Sequence, residues 1–196
     1  MQKKAEKILN STIVYLVRHG VAKATMDDMA RHANVSKVTI YKYFTDKDML
    51  YLKMAEYLFS KYIDRMTVVL ESGDGLVKKL YTFMDIIGEF SLSGQYKLCE
   101  ELCACNVDTQ AEYNRYLRSY HMCLSSLIDQ GFSQGVLKEG LNQGTVFHYI
   151  NMGIVYFQEN AEYRHQLTSD AQFRQHFMLF HISHIFIDSE KIFTTV

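Results

Sequence analysis

Apolar side chains recur along this chain at intervals of three and four residues, the spacing of helices with one buried face. Over residues 2–19 they fall at Ala5, Ile8, Leu9, Ile13 and Leu16, and the run closes on Arg18, His19 and Gly20, basic residues ahead of a terminating glycine. Thr25-Met26-Asp27-Asp28 sets an acid three residues after a hydroxyl, close to a capping box. It predicts a second helix to about His32, with Met26, Met29, Ala30 and Ala33 inward. Ser36 caps a third over 37–43. Thr45 or Asp46 caps a fourth, which reaches about Leu70 along Leu52, Ala55, Phe59, Tyr62, Met66 and Val69. Beyond Ser72-Gly73-Asp74-Gly75 the pattern predicts helices near 75–91, 95–105, 109–132, 142–162 and 170–188, about nine in all. Within the last two, residues 146–157 and 177–187 are apolar on almost every side, so both faces need cover. One face packs on the domain core. The other is assigned to a second subunit, because a domain of this size cannot enclose two such helices.

Composition agrees with an all-α chain. Among 196 residues there is no proline to break a helix, and 48% are hydrophobic, enough for a sizeable core. The N-terminus MQKKAEKILNST has no apolar signal core and no later run reaches membrane-spanning length, which predicts a cytoplasmic protein without a membrane partner. Cys99, Cys103, Cys105 and Cys123 are too few for a disulfide framework and are expected as free thiols. The net charge of −1 hides an asymmetry. Residues 1–53 hold ten Lys/Arg against five Asp/Glu, a net of +5, and the rest carries −6. A basic segment on an acidic body points to a polyanion partner for the first segment alone.

The two short helices over residues 25–44 are separated by Ala33-Asn34-Val35, a turn of helix-turn-helix length. Ala30 is small where the next helix crosses. Asn34 tolerates the left-handed backbone such a turn needs. Val35, Ile40 and Phe44 supply the apolar contacts that lock the pair. Lys37, Val38, Thr39, Tyr41, Lys42 and Tyr43 are left over on the other face. A recognition helix puts its N-terminal residues against base edges, the place of Lys37, Val38 and Thr39. Lysine donates to guanine O6 and N7, and the methyls of valine and threonine meet thymine methyls. Tyr41, Lys42 and Tyr43, bracketed by Thr25 and Lys47 at two helix starts, suit phosphate contacts.

The stretch "ATMDDMARHANVSKVTIYKYFTDKDML" resembles the DNA-binding signature of TetR-type transcriptional regulators, matching at Thr25, Met29, Ala30, Ala33, Val35, Ser36, Thr39, Ile40, Tyr41, Tyr43, Phe44 and Lys47. "AEKILNSTIVYLVRHG" is similar to that family's first helix. Asn34 replaces the family's usual glycine, and Val38 stands where many members have a small residue. The resemblance covers residues 1–60 strongly and thereafter rests on helix count and the "DQGFSQGVLKEGLN" turn. It implies a DNA-binding domain over 1–47 and an effector-binding and dimerisation domain over 48–196. It also implies a homodimer through helices 142–162 and 170–188, a palindromic DNA operator, and a repressor released by a small-molecule effector of unknown identity. No effector contact is singled out.

Other groupings are weaker. Cys99 and Cys103 share a helix face and could begin a redox or metal site, but the spacing matches no zinc pattern; buried thiols acting as small apolar groups are favoured. A redox- or metal-responsive regulator, or a DNA-bound adaptor without a small effector, stays open beside the ligand reading. His176, His181 and His184 are read as interface histidines over metal ligands. Aromatic and methionine residues over 75–160, among them Tyr81, Phe83, Met84, Phe90, Tyr113 and Tyr116, suit an apolar ligand pocket. No phosphate loop, ordered Ser/His/Asp set or metal-hydrolase motif is present, so neither an enzyme nor a cofactor or metal is expected.

Overall fold

A computed structural model describes residues 3–187, the side chains at 168 and 178 excepted. The expected residue 2 at the start of the first helix and residue 188 at the end of the last lie outside the described residues. Ten helices follow in order: α1 (Lys3–His19), α2 (Met26–His32), α3 (Lys37–Tyr43), α4 (Lys47–Glu71), α5 (Leu76–Leu92), α6 (Gln95–Cys105), α7 (Val107–Ser133), α8 (Gln143–Glu159), α9 (Ala161–Ser169) and α10 (Ala171–Ser183). The class is all-α, with no β-strand among the described residues. By contact the chain forms two compact units, one of residues 1–63 and 90–118, the other of 64–89 and 119–196.

In the first unit α1 buries Ala5, Ile8, Leu9, Thr12, Ile13 and Leu16. The Thr12 hydroxyl donates to the Ile8 carbonyl at 2.8 Å, so a polar group inside the core is satisfied along its own helix. Met29, Ile40, Leu50 and Met54 complete a core with no measurable exposure. Ser11 Oγ donates to the His32 carbonyl at 3.1 Å, and the Tyr15 ring lies 5.3 Å from that of His32, tying α1 to α2. The loop after α1 is held from far along the chain. The backbone N–H of Val21 donates to Glu101 Oε2 on α6 at 2.9 Å. Gly94, at the start of α6, approaches α1 so closely that a β-carbon would lie 2.9 Å from Val17 Cγ1. An aromatic cluster fills the rest of this unit, with Tyr62 and Phe90 4.5 Å apart and Phe59 and Tyr116 4.9 Å apart between ring centres.

In the second unit α8 and α10 pack where Gly153 leaves room for His181; a β-carbon at 153 would sit 2.7 Å from His181 Nε2. The His181 ring stacks on Tyr149 at 4.6 Å, and the Tyr149 hydroxyl donates to the His181 carbonyl at 2.8 Å. Burial lowers the proton affinity of this imidazole; the backbone of Ile150 and Tyr149 acts in the opposite direction.

The C-terminal helices differ from the sequence expectation. The predicted helix over 142–162 ends at Glu159, and a separate helix, α9, follows; the one predicted over 170–188 ends at Ser183. Asn160 sets the break after α8, and Asp170 sets the one between α9 and α10. Each leaves the helical conformation (φ −102°, ψ 106° and φ −123°, ψ 101°), and each side chain accepts from a backbone N–H three residues on. Each therefore stops one helix and caps the next. Past Ser183 the chain turns and pairs with the link before α8. Lys138 N–H donates to Ile185 O at 2.9 Å and Ile187 N–H to Val136 O at 3.0 Å, around an isolated antiparallel bridge between Leu137 and Phe186.

Candidate nucleic-acid interface

The helix-turn-helix is built from local caps. The Thr25 hydroxyl accepts from the Asp28 N–H at 3.1 Å and donates to Asp28 Oδ2 at 2.6 Å, and the Thr25 N–H donates to the same carboxylate at 3.2 Å. The box is complete, and these bonds, with Arg31 nearby, hold the Asp28 carboxyl below its ordinary proton affinity. Val35 N–H donates to Ala30 O across the turn at 3.0 Å, which requires the backbone to reverse hand at Asn34 (φ 54°), the one non-glycine residue with positive φ among those described. Ser36 then caps α3 by accepting from the Thr39 N–H. Asp46, not Thr45, caps α4, accepting from the Met49 N–H at 2.7 Å.

These caps orient α3 with Ile40 inward at 0% exposure and Val38 outward at 79%. Lys37, Tyr41 and Lys42 are exposed beside Val38, while Thr39 and Tyr43 are half-buried. Thr25 is exposed at the α2 start, and the ammonium of Lys47, half-buried at the α4 start, lies 5.3 Å from the centre of the buried Tyr51 ring. All eight sequence-selected residues thus lie on the helix-turn-helix or at the starts of its helices. Two hydroxyls among them are engaged within the protein: Thr25 in its box, and Thr39 Oγ1 with Ser36 Oγ at 2.8 Å. Lys37 is engaged as well, its Nζ 2.9 Å from Asp27 Oδ1, and that bond raises the lysine's proton affinity.

Sequence reasoning missed Asp27 as Lys37's partner, because the pair spans the turn. It also missed Lys3, Lys4 and Lys7, which line an open cleft with Ala33, Asn34 and Val35. Their spacing on one flank of the α1 apolar stripe was the available signal.

The cysteines do not assemble a site. Cys99 is buried, its thiol pushed well up by burial and then by neighbouring Cys103 and Glu100; burial likewise lifts Cys103 to about 11. Such thiols carry little thiolate and are poor nucleophiles or ligands. Among the described residues no group of three or more His, Cys, Asp or Glu is placed to hold a metal ion, and no helix is long and apolar enough to cross a membrane.

Residues 8–54 match the family model described as bacterial regulatory proteins, tetR family. The fatty acid metabolism regulator protein of Bacillus subtilis is 25% identical over 141 residues, covering 69% of this chain and 72% of that one. The transcriptional repressor NemR of Escherichia coli is 24% identical over 123 residues, covering 59% and 62%. The chain's helix-turn-helix region is thus that of the TetR family of transcriptional regulators. The relatives that the chain matches are named as regulators and not as enzymes. Its fold is shared with the reduced form of E. coli NemR, at TM-score 0.71 and 17% identity over 94% of this chain and 98% of that one. It is also shared with the regulator FadR of B. subtilis, solved in complex with stearoyl-CoA, at TM-score 0.62 and 20% identity over 76% and 82%.

Proposed function

We propose that this protein is a homodimeric repressor that binds a palindromic DNA operator in the cytoplasm and leaves it when a small-molecule effector binds. Residues 1–47 act as the DNA-binding head and residues 48–196 as the effector and dimerisation region. The observation that carries this reading is the outward face of α3. Val38 presents a bare apolar side chain to solvent two residues from an inward Ile40, a placement that suits contact with base methyls in a major groove. Lys37 and Thr39 flank it as base contacts. Tyr41, Lys42, Tyr43, Thr25 and Lys47 hold phosphates, fixing register without choosing sequence. Two heads set about one DNA turn apart, or a multiple of it, read the two half-sites. A relative named for fatty acid metabolism and a structural neighbour holding stearoyl-CoA make long-chain acyl-CoA thioesters the first ligands to test.

The test begins with an operator selected from random duplex DNA. Changing Tyr41 and Lys47 together to Ala is expected to weaken binding about tenfold or more at fixed salt, with helicity and sedimentation unchanged. Unaltered affinity would remove these two residues from the interface.

Lys37 carries a separate expectation. To donate to a base it must leave Asp27, and that carboxylate also faces an incoming polyanion. Asp27→Asn should therefore tighten binding about two- to fivefold, the scale of an exposed ion pair. The gain should be clearly smaller in the Lys37→Ala background, where only the repulsion between Asp27 and phosphate is relieved. A gain of equal size without Lys37 would show that Asp27 acts only by repelling DNA.

A further inference from the structure

Lys3, Lys4 and Lys7 fall at i, i+1 and i+4 on α1, beside the buried stripe of Ala5, Ile8 and Leu9. That stripe packs the helix onto the head, so the three ammonium groups are carried along one flank. They line an open cleft of about 370 Å³ whose opposite wall is the turn Ala33-Asn34-Val35. Among the described residues no carboxylate is ion-paired with any of the three. Elsewhere Lys37, Lys53 and Lys78 each have one within 3.0 Å. Like charges crowded on one turn repel, and an anion between them relieves that repulsion.

The cleft is also preformed. The bond from Ser11 to His32 and the Tyr15–His32 ring contact fix α1 against α2, and the turn is fixed by its own backbone bonds. Asn34 is exposed, and its side-chain amide makes no hydrogen bond among the described residues, which leaves a neutral donor at the cleft. Val35 lies two residues before Lys37, so the cleft adjoins the end of α3 assigned to the major groove.

We infer that this cleft is a second phosphate-binding element of the head. It takes backbone phosphates of the duplex next to the stretch read by α3, with Lys3, Lys4 and Lys7 as cationic contacts and Asn34 as a neutral one. The inference rests on the DNA-binding reading above. A cleft of this kind adds affinity and salt dependence and reads no bases.

The full-length variant Lys3→Gln/Lys4→Gln/Lys7→Gln tests it against operator and random duplexes over a range of salt. Its affinity for both should fall together, by about tenfold or more near 0.1 M salt. The slope of log K against log salt should flatten by about 0.9 for each phosphate no longer neutralised. Base preference across operator variants should not change. The triple Lys→Arg variant, which keeps the charge, should bind as the wild type does, and both variants should melt with the wild type. Unchanged affinity and slope in the Gln variant, while the wild type binds operator, overturns this inference alone. Weaker binding with an unchanged slope, or with altered base preference, overturns it too. A wild-type chain that binds no duplex overturns the DNA-binding reading, and this inference with it.

Discussion

Replacing Met152 and Phe180 together by Glu is expected to leave the protein monomeric at micromolar concentration. In one chain Met152 is 61% exposed, Val155 46% and Tyr156 54% on α8, while Phe180 is 62% and Ile187 57% exposed on or just past α10. Positions 152, 155 and 156 lie on one face of α8, and α10 lies against that helix at Gly153. Large exposed apolar side chains on two adjoining helices suit the proposed subunit contact, and each contributes about 1.5–3 kcal/mol when fully covered. Two-fold symmetry would place four new carboxylates in such an interface. Their desolvation outweighs the contacts that remain, and the dimer dissociation constant should rise by about three orders of magnitude or more. Operator affinity should fall about 10²- to 10⁴-fold, since one head no longer raises the local concentration of the other. Sedimentation velocity and an operator titration read both effects. A variant that still sediments as a dimer would place the subunit contact elsewhere.

The second large effect is expected from Ile40→Ala. The side chain is 0% exposed and is the buried anchor of a helix only seven residues long. So short a helix has little intrinsic stability, and its position depends on that contact. Truncation removes the transfer free energy and leaves a cavity, together about 2–5 kcal/mol, a large share of the 5–15 kcal/mol that typically separates folded from unfolded chains. Operator binding should be abolished while the dimer persists. Val38→Ala, two residues away at 79% exposure, is the control and should change stability by no more than about 0.5 kcal/mol. Denaturant unfolding of the two variants checks the contrast. A destabilisation below about 1 kcal/mol for Ile40→Ala would mean that α3 is held by something other than this side chain.

The head was legible because its signals are local. Thr25, Ser36 and Asp46 cap by bonding backbone three residues on, and Asn34 needs only its own φ, so each acts within one turn of where it is read. The same chemistry operates at Asn160 and Asp170. The helix start near 170 is legible in the sequence, but the break at Asn160 is not, because helical spacing reads on past it to 162. Interactions across sequence distance leave no local mark. The Asp27–Lys37 pair spans ten residues, and the basic cleft depends on where the turn at 33–35 comes to rest against α1. Spacing reveals which face of α1 is buried, yet its charged flank looks like ordinary solvated surface until the turn is placed beside it.

Glu101 bears on how the chain is made. Its carboxylate accepts the backbone N–H of Val21, a residue 2% exposed and 80 positions earlier. A buried donor without a partner costs about 1–3 kcal/mol. The first fifty residues contain every cap of the head but not this acceptor, which comes only with α6. During synthesis the loop following α1 is therefore expected to gain this bond after the local caps have formed.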